Sequence, residues 1–480
     1  MIVGVDIGTQ SLKAVAVDRD LRVAGEASVA YAPHYPRPGW AEQEPALWEA
    51  ALAPAIAGAL AAANAAPADV AALGIAGQLD GCVPVDAAGA ALGPCLIWCD
   101  RRAVDAVAGL PVDALRRSTG LVADASHMAA KIRWLGPDRA ARFHQPVSYV
   151  VARLTGEHVM DHGHASTTML YDLAARDYDD RWLAAFGIDR ARLPRIAEAT
   201  DVAGALHAEG AALCGLPAGT LVAVGTGDDF ATPLGAGIAA PGAAACVLGT
   251  AEVVGAVSAG VAIDAGALVE THAYVGGLYF VENPGWLAGG AIEWLCGVAG
   301  FADAAAVDAA ANTAPAGAGG VTFVPALSGA MAPEWIATAR ACLYGLTAAH
   351  GREHVARAVL EGCAFAMRDV IDRVRELGVD VGAIRLLGGG ARSELWAQIR
   401  ADVARTPVAV PARVDTCALG AAAIASVAAG RWPTVAAAAA RLSAGARSVE
   451  PDPARADRYD EAYARYRALF AALRPLFSAP

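Results

Sequence analysis

The sequence predicts a duplicated α/β fold of two domains with a cleft between them, and three observations carry that prediction. The 480 residues exceed what one hydrophobic core usually organises, so two domains of similar size are expected. A β-hairpin built around a Gly-Thr turn opens the chain and returns near its middle. Short apolar strands alternate with helix-length amphipathic stretches after each of these turns.

The opening run from Ile2 to Val17 reads as two short strands joined through Gly8 and Thr9. Its echo runs from Ala245 to Gly255 and turns at Gly249 and Thr250. A repeat at half the chain length indicates duplication of one unit, since solenoid periods are about 20–50 residues. Between the turns, Pro45 to Asn64 and Asp100 to Ala108 read as helices, and Ala71 to Gly77, Cys82 to Val85 and Cys95 to Trp98 as strands. In the second half, His354 to Leu377 and Leu395 to Ala404 read as helices flanking a strand, Ile384 to Leu387, that runs into Gly388-Gly389-Gly390. The tail from Arg455 to Phe477 carries Tyr459, Tyr463, Tyr466, Leu469 and Leu473 at helical spacing and is expected to pack back onto the body. The expected boundary gives residues 1–232 as the N-terminal domain and 233–480 as the C-terminal domain.

Composition narrows the function classes. A formal charge of −12 argues against nucleic acid or an anionic membrane as partner. The weakly charged stretch from Gly235 to Ile263 is interrupted by Pro241, Glu252 and glycines, which fits buried strands better than a membrane span. Asp6 stands where a secretory leader would carry basic residues. Nine scattered cysteines without a CxxC pair read as free thiols in a reducing, cytoplasmic setting.

The candidate chemistry is phosphoryl transfer, which needs backbone N–H groups and hydroxyls around phosphates, carboxylates for a cation, and a base at the accepting hydroxyl. The two Gly-Thr turns supply the first, and Asp6 ends the strand leading into one of them. Each turn by itself is also an ordinary hairpin. Neither a GxxxxGK[ST] loop nor a GxGxxG opening a helix is present. Asp228 and Asp229 follow the strand Val222 to Val224 and its glycines, as a general base or as a solvated acidic turn. Gln78, Leu79 and Asp80 follow one strand and Trp98 and Asp100 another, the pattern of a polyhydroxyl site or of turn and cap residues. Trp40 is an apolar wall or a core residue.

Taken together these stretches resemble the FGGY family of carbohydrate kinases over nearly the whole chain. The most specific match is Ala341 to Leu346 followed, seven residues on, by His354 to Glu361. Gly388 to Trp396 resembles the family's adenosine motif and Ala418 to Ala422 the segment after it. The resemblance implies the two-domain actin-like ATPase (ribonuclease H-like) fold with an interdomain cleft, and ATP and Mg²⁺ as cofactors. It implies Asp228 as catalytic base, Asp6 and Asp228 at the metal, and Gln78, Leu79, Asp80, Trp98, Asp100, Asp229 and Trp40 around the substrate. For ATP it implies Gly8, Thr9, Gln10, Ser11, Lys13, Gly249, Thr250, Gly389, Gly390, Ala391, Ser393 and Glu394. Within the family the chain is most similar to xylulokinases, which implies a ketopentose such as D-xylulose, phosphorylated on a terminal hydroxyl. It departs from them in carrying Leu79-Asp80 for Met-His and Asp229 for Asn. Trp98 with Asp100-Arg101-Arg102, and Gly120-Leu121 leading to Lys131, resemble glycerol kinases instead. Glycerol, ribulose or an erythritol-like polyol are the alternative acceptors, and a non-catalytic actin-like ATP switch is the rival class. Ala251 stands where the second turn usually has Ser, and Glu252 is expected to add negative charge near the phosphates. The expected partner is a small sugar or polyol, with no nucleic acid and no membrane; a homodimer is compatible.

Overall fold

The computed structural model describes residues 1–477. Strand β1 (Ile2–Ile7) is buried throughout and pairs antiparallel with β2 (Ser11–Val17), setting Asp6 opposite Lys13. β3 (Val23–Ala30) continues beyond β2. Helix α1 (Pro45–Ala62) crosses to β4 (Ala72–Gly77), which lies parallel to β1 with Ala76 level with Asp6. Helices α2 (Met128–Leu135) and α3 (Pro146–Thr155) follow, then β5 (Val202–Ala205), β6 (Leu221–Ala223), β7 (Thr226–Gly227) and α4 (Asp228–Gly235). The seven strands run in the order β5-β6-β4-β1-β2-β3, with β7 also paired to β4. The Val, Ile and Ala runs of the central strands β1 and β4 are buried without alternation, as expected where a sheet is covered on both faces, whereas β3 and β5 at its edges carry exposed positions.

The second sheet repeats this plan. It is built from β8 (Gly242–Leu248), β9 (Ala251–Ser258), β10 (Glu270–Ala273) and β11 (Tyr279–Leu287). After α5 (Gly289–Ala299) and α6 (Arg352–Glu376) come β12 (Val381–Leu387), α7 (Glu394–Ala404), β13 (Val408–Val410), α8 (Cys417–Ala428), β14 (Arg447–Val449) and α9 (Ala456–Phe477). The order is β10-β11-β9-β8-β12-β13-β14. Reading outward from each central hairpin, β1–β2 and β8–β9 are antiparallel, β1–β4 and β8–β12 parallel, β4–β6 and β12–β13 parallel, and β6–β5 and β13–β14 antiparallel. The same hydrogen-bond directions recur in the same places, which is what duplication of one folding unit leaves behind.

The compact units are interleaved along the chain, where the sequence reading places a single boundary after residue 232. Met1–Ala239, Thr271–Phe280 and Thr416–Ala444 form the first, and Ala240–Glu270, Val281–Asp415 and the chain from Gly445 onward the second. The return of α8 to the first unit has a steric cause. A Cβ on Gly4 would stand 2.0 Å from the Ala418 carbonyl oxygen, and one on Gly74 2.0 Å from that of Ala421. Glycine on β1 and β4 thus lets an alanine-rich helix lie directly on the strands.

Among the described residues α1 is the single helix long and apolar enough to cross a membrane. Its Trp48, Leu52, Ile56 and Leu60 are buried in the first unit's core. The weakly charged stretch after residue 235 forms β8 and β9, as expected. The Asp100–Ala108 helix is not formed, and only a short 3₁₀ turn at Val104–Val107 is present. Asp100 spends its carboxylate on the Arg102 and Ala41 N–H groups, which fixes a turn at the position where a helix would begin. All nine cysteines are free.

Candidate active site

The first Gly-Thr turn is held from several sides. The Gly8 N–H donates to the Ser11 carbonyl at 3.0 Å, Tyr31 Oη donates to the Gly8 carbonyl at 2.8 Å, and Gln43 Nε2 donates to the Thr9 carbonyl at 2.9 Å. Trp98 Nε1 donates to Thr9 Oγ1 at 3.1 Å, so the indole and the hydroxyl share one corner. Gln10 is exposed at the tip, and Lys13 is half-buried on β2 opposite Asp6.

Two carboxylates stand at the carboxyl ends of β1 and β7, the strands on either side of β4. Asp6 on β1 is level with Ala76 on β4, which is level with Thr226 on β7. Asp228 therefore begins α4 two residues beyond that row, where the helix N-terminus favours an anion. Its Oδ1 accepts the Asp229 N–H at 3.1 Å. Thr226 is anchored below by donating to Asp161 at 2.6 Å. Burial pushes Asp161 up, but the His164 charge and hydrogen bonds from His164 and Thr226 prevail and hold it below the usual carboxylate range. The buried Cys417 thiol of α8 is pushed well above its ordinary value by burial and then by Asp6 and Asp228. Both carboxylates thus act on one point. An oxygen pair of this kind suits Mg²⁺, which takes one or two carboxylates and completes its shell with water and phosphate oxygens. Among the described residues no group of three His, Cys, Asp or Glu is set to hold an ion without such help.

Beside them lies a polar ledge. Gln78 is buried and donates from Nε2 to Gln43 Oε1 at 2.7 Å, while Trp48 Nε1 donates to the same oxygen. Leu79 is buried against Gly227, where a Cβ would come within 2.1 Å of its Cδ2. Asp80 is left-handed at φ 58°, and Asp229 is half-buried. Trp98 is half-exposed, whereas Asp100 is fully buried, with both oxygens bound to Arg102. The Arg102 guanidinium lies 3.7 Å over the Trp40 ring, and Trp40 meets Trp134 edge-on at 5.6 Å. Trp40 and Asp100 therefore belong to one packed buttress behind Trp98.

In the second unit, Gly249 and Thr250 are exposed at the β8–β9 turn. Their carbonyls accept the Gly289 and Gly290 N–H groups at 3.1 and 3.0 Å, fastening the turn to the start of α5. Glu252 does not add charge at this turn. It is fully buried and binds Arg400 in a fork, at 2.5 and 2.7 Å. The glycine run after β12 opens a 3₁₀ turn, Gly389–Arg392, with Gly389 exposed and Ala391 buried. Ser393 caps α7 by accepting the Trp396 N–H at 3.0 Å, and Glu394 is exposed in the first helical turn.

Several members of these clusters escape a sequence reading: Gln43, His127, Gln145, Asp161, Cys417 and Arg400. None sits in a motif, and each is recruited by contacts between distant segments. Lys131, rare as one of two lysines, carried a weak signal. It is fully buried, donates to the Asp80 and Ile97 carbonyls at 2.6 and 2.9 Å, and burial lowers its pKa against the pull of Asp80.

Two sheets of one plan, each with a Gly-Thr turn at its central hairpin, define the two-domain fold of the actin-like ATPase class. Residues 1–235 match the N-terminal domain of the FGGY family of carbohydrate kinases, and residues 244–429 match its C-terminal domain. A xylulose kinase from Klebsiella pneumoniae is 35% identical over 84% of each chain, and a glycerol kinase from Thermococcus onnurineus 32% identical over 90% of each. The solved xylulose kinase from Rhodospirillum rubrum superposes with a TM-score of 0.90 at 31% identity, covering 100% of both chains. The chain belongs to the FGGY family of carbohydrate kinases.

Proposed function

We propose that this protein transfers the γ-phosphoryl group of ATP, with Mg²⁺, to a terminal hydroxyl of a small sugar, a ketopentose such as D-xylulose being the first candidate. The observation that carries this reading is Asp228, held at the start of α4 two residues past the row that Asp6 occupies. Bound ATP and Mg²⁺ would supply the phosphoryl group and offset its charge. Asp6, with Asp228, would hold the ion. Gly8 to Ser11 and Lys13 would receive phosphate in the first unit, Gly249 and Thr250 in the second, and Gly389 to Glu394 would seat the adenosine. Gln78, Asp80, Trp98 and Asp229 would face the sugar, with Leu79, Asp100 and Trp40 shaping the wall behind them. Asp228 then accepts the hydroxyl proton, and the hydroxyl oxygen becomes the nucleophile.

Asp228→Asn is expected to lower kcat by about 10²–10⁴-fold, the usual worth of a positioned base, while ATP affinity, read by calorimetry, is retained. Sugar phosphorylation at the parent rate would remove Asp228 from the mechanism. Glycerol or another polyol as acceptor is the second reading, supported by the glycerol kinase relatives and by Lys131 beneath Asp80. The nine free thiols support a reducing, cytoplasmic setting.

A further inference from the structure

Asp80 is held at three points, each from a different residue. Its N–H donates to Gln145 Oε1 at 2.9 Å, its carbonyl accepts from Lys131 Nζ at 2.6 Å, and its Oδ1 lies 3.3 Å from His127 Nδ1. The first two bonds impose the left-handed backbone, a conformation that costs a non-glycine residue free energy and persists only where its surroundings over-determine it. The third fixes the side chain. His127 stands at the N-cap of α2 and is itself buried, with Nε2 3.1 Å from the Val122 carbonyl. Both ring nitrogens face oxygen acceptors, Nδ1 that of Asp80 and Nε2 that of Val122, so the ring orientation is fixed from both sides. Among the described residues, Asp80 Oδ2 accepts no hydrogen bond, and the side chain keeps 17% of its surface exposed. One oxygen is fixed by the histidine, and the other is presented outward.

The charges around this ledge limit what it receives. Lys131 is committed to two carbonyls, Arg102 to Asp100 and Glu42, Arg101 to Asp124, and His127 to Asp80. No cation in that group is left over for a ligand carboxylate, while the outward oxygen of Asp80 repels one.

Building on the proposed kinase reading, we infer that His127 is a positioning residue that aims the Asp80 carboxylate at vicinal hydroxyls of the acceptor, and that the site takes an uncharged polyol or ketose and rejects sugar acids. The test is steady-state kinetics of the full-length protein, following ADP, with D-xylulose, glycerol and D-gluconate as acceptors. His127→Ala is expected to raise KM for the accepted sugar about tenfold, the worth of a misaligned charge-assisted hydrogen bond. Its kcat stays within about threefold and KM for ATP is unchanged. The double variant with Asp80→Asn is no worse than Asp80→Asn alone, because the histidine acts through the aspartate. His127→Gln, which retains an N–H donor, recovers part of the loss and guards against a variant that fails to fold. Gluconate gives no turnover. An unchanged sugar KM in His127→Ala, or additive losses in the double variant, would overturn the positioning role, and gluconate turnover matching xylulose would overturn the charge argument. Those outcomes leave the kinase reading intact. Failure of every acceptor, with ATP hydrolysis indifferent to Asp228→Asn, would sink that reading and this inference together.

Discussion

Glu252 shows how little a residue's neighbours in sequence reveal about where its charge is placed. Two positions after Thr250 it reads as an anion beside phosphate, yet its side chain points into the second unit's core and meets Arg400, 148 positions away. Cys246 Sγ donates to the same carboxylate at 3.2 Å, and the Arg400 guanidinium lies 4.7 Å over the Trp396 ring. Burial works against the Arg400 charge, but Glu252 prevails and raises its pKa above the usual arginine value. Removing one partner strands the other in a medium that cannot solvate it. Glu252→Gln and Arg400→Met are each expected to cost about 3–5 kcal/mol of unfolding free energy in urea titrations, whereas Glu252→Leu with Arg400→Met recovers most of it. Losses that simply add in the double variant would show that the pair is not acting as a unit. The Gly-Thr turns were legible because glycine and a hydroxyl at a strand end have few other uses. Arg400, His127 and Gln145 were not, because their partners are reached only through the fold.

Elements were more legible than residues. The strand ending at Gly77, the helix α6, the strand before the glycine run and the terminal helix lie within about three residues of where periodicity places them. The failure at Asp100–Ala108 came from a side chain that outbid the helix for backbone N–H groups. A similar local competition sets an acid sensitivity at the start of α3. His144 is fully buried, its Nδ1 3.0 Å from Ser148 Oγ and its Nε2 3.0 Å from His158 Nδ1, and Ser148 Oγ donates to the Gln145 carbonyl. Burial, then the His158 and Arg142 charges, push its pKa down to about 3. A histidine depressed in the folded state takes up its proton preferentially when unfolded, near 6.5. Stability is therefore complete above that value and is lost as pH falls from about 6.5 toward about 3. Each pH unit in that window costs about 1.4 kcal/mol for the one proton. Urea midpoints measured from pH 7 to pH 4 should fall with this slope, and His144→Gln should flatten it. An unchanged slope in that variant would assign the acid sensitivity to other groups. Gln145, which holds the Asp80 N–H, is the next residue along, so the site's geometry should loosen over the same range.

For the molecule as a whole, duplication was legible and connectivity was not. The two hairpins share a signal in sequence, whereas nothing in the alanines of α8 says which sheet they cover. The choice is made by Gly4 and Gly74, more than three hundred positions earlier, which leave a groove that only a helix backbone fills. A fragment of residues 1–239 therefore lacks the cover for β1 and β4 and is expected to show no cooperative thermal transition by circular dichroism. Adding a peptide spanning residues 416–444 should restore one. A sharp transition in the fragment alone would show that α8 is dispensable to the first unit.

That returning helix also sets the order of events during synthesis. The ribosome delivers β1 about four hundred residues before α8, so the sheet waits through that interval with one face greasy. The first unit therefore closes its core only after the second unit's central sheet has been made.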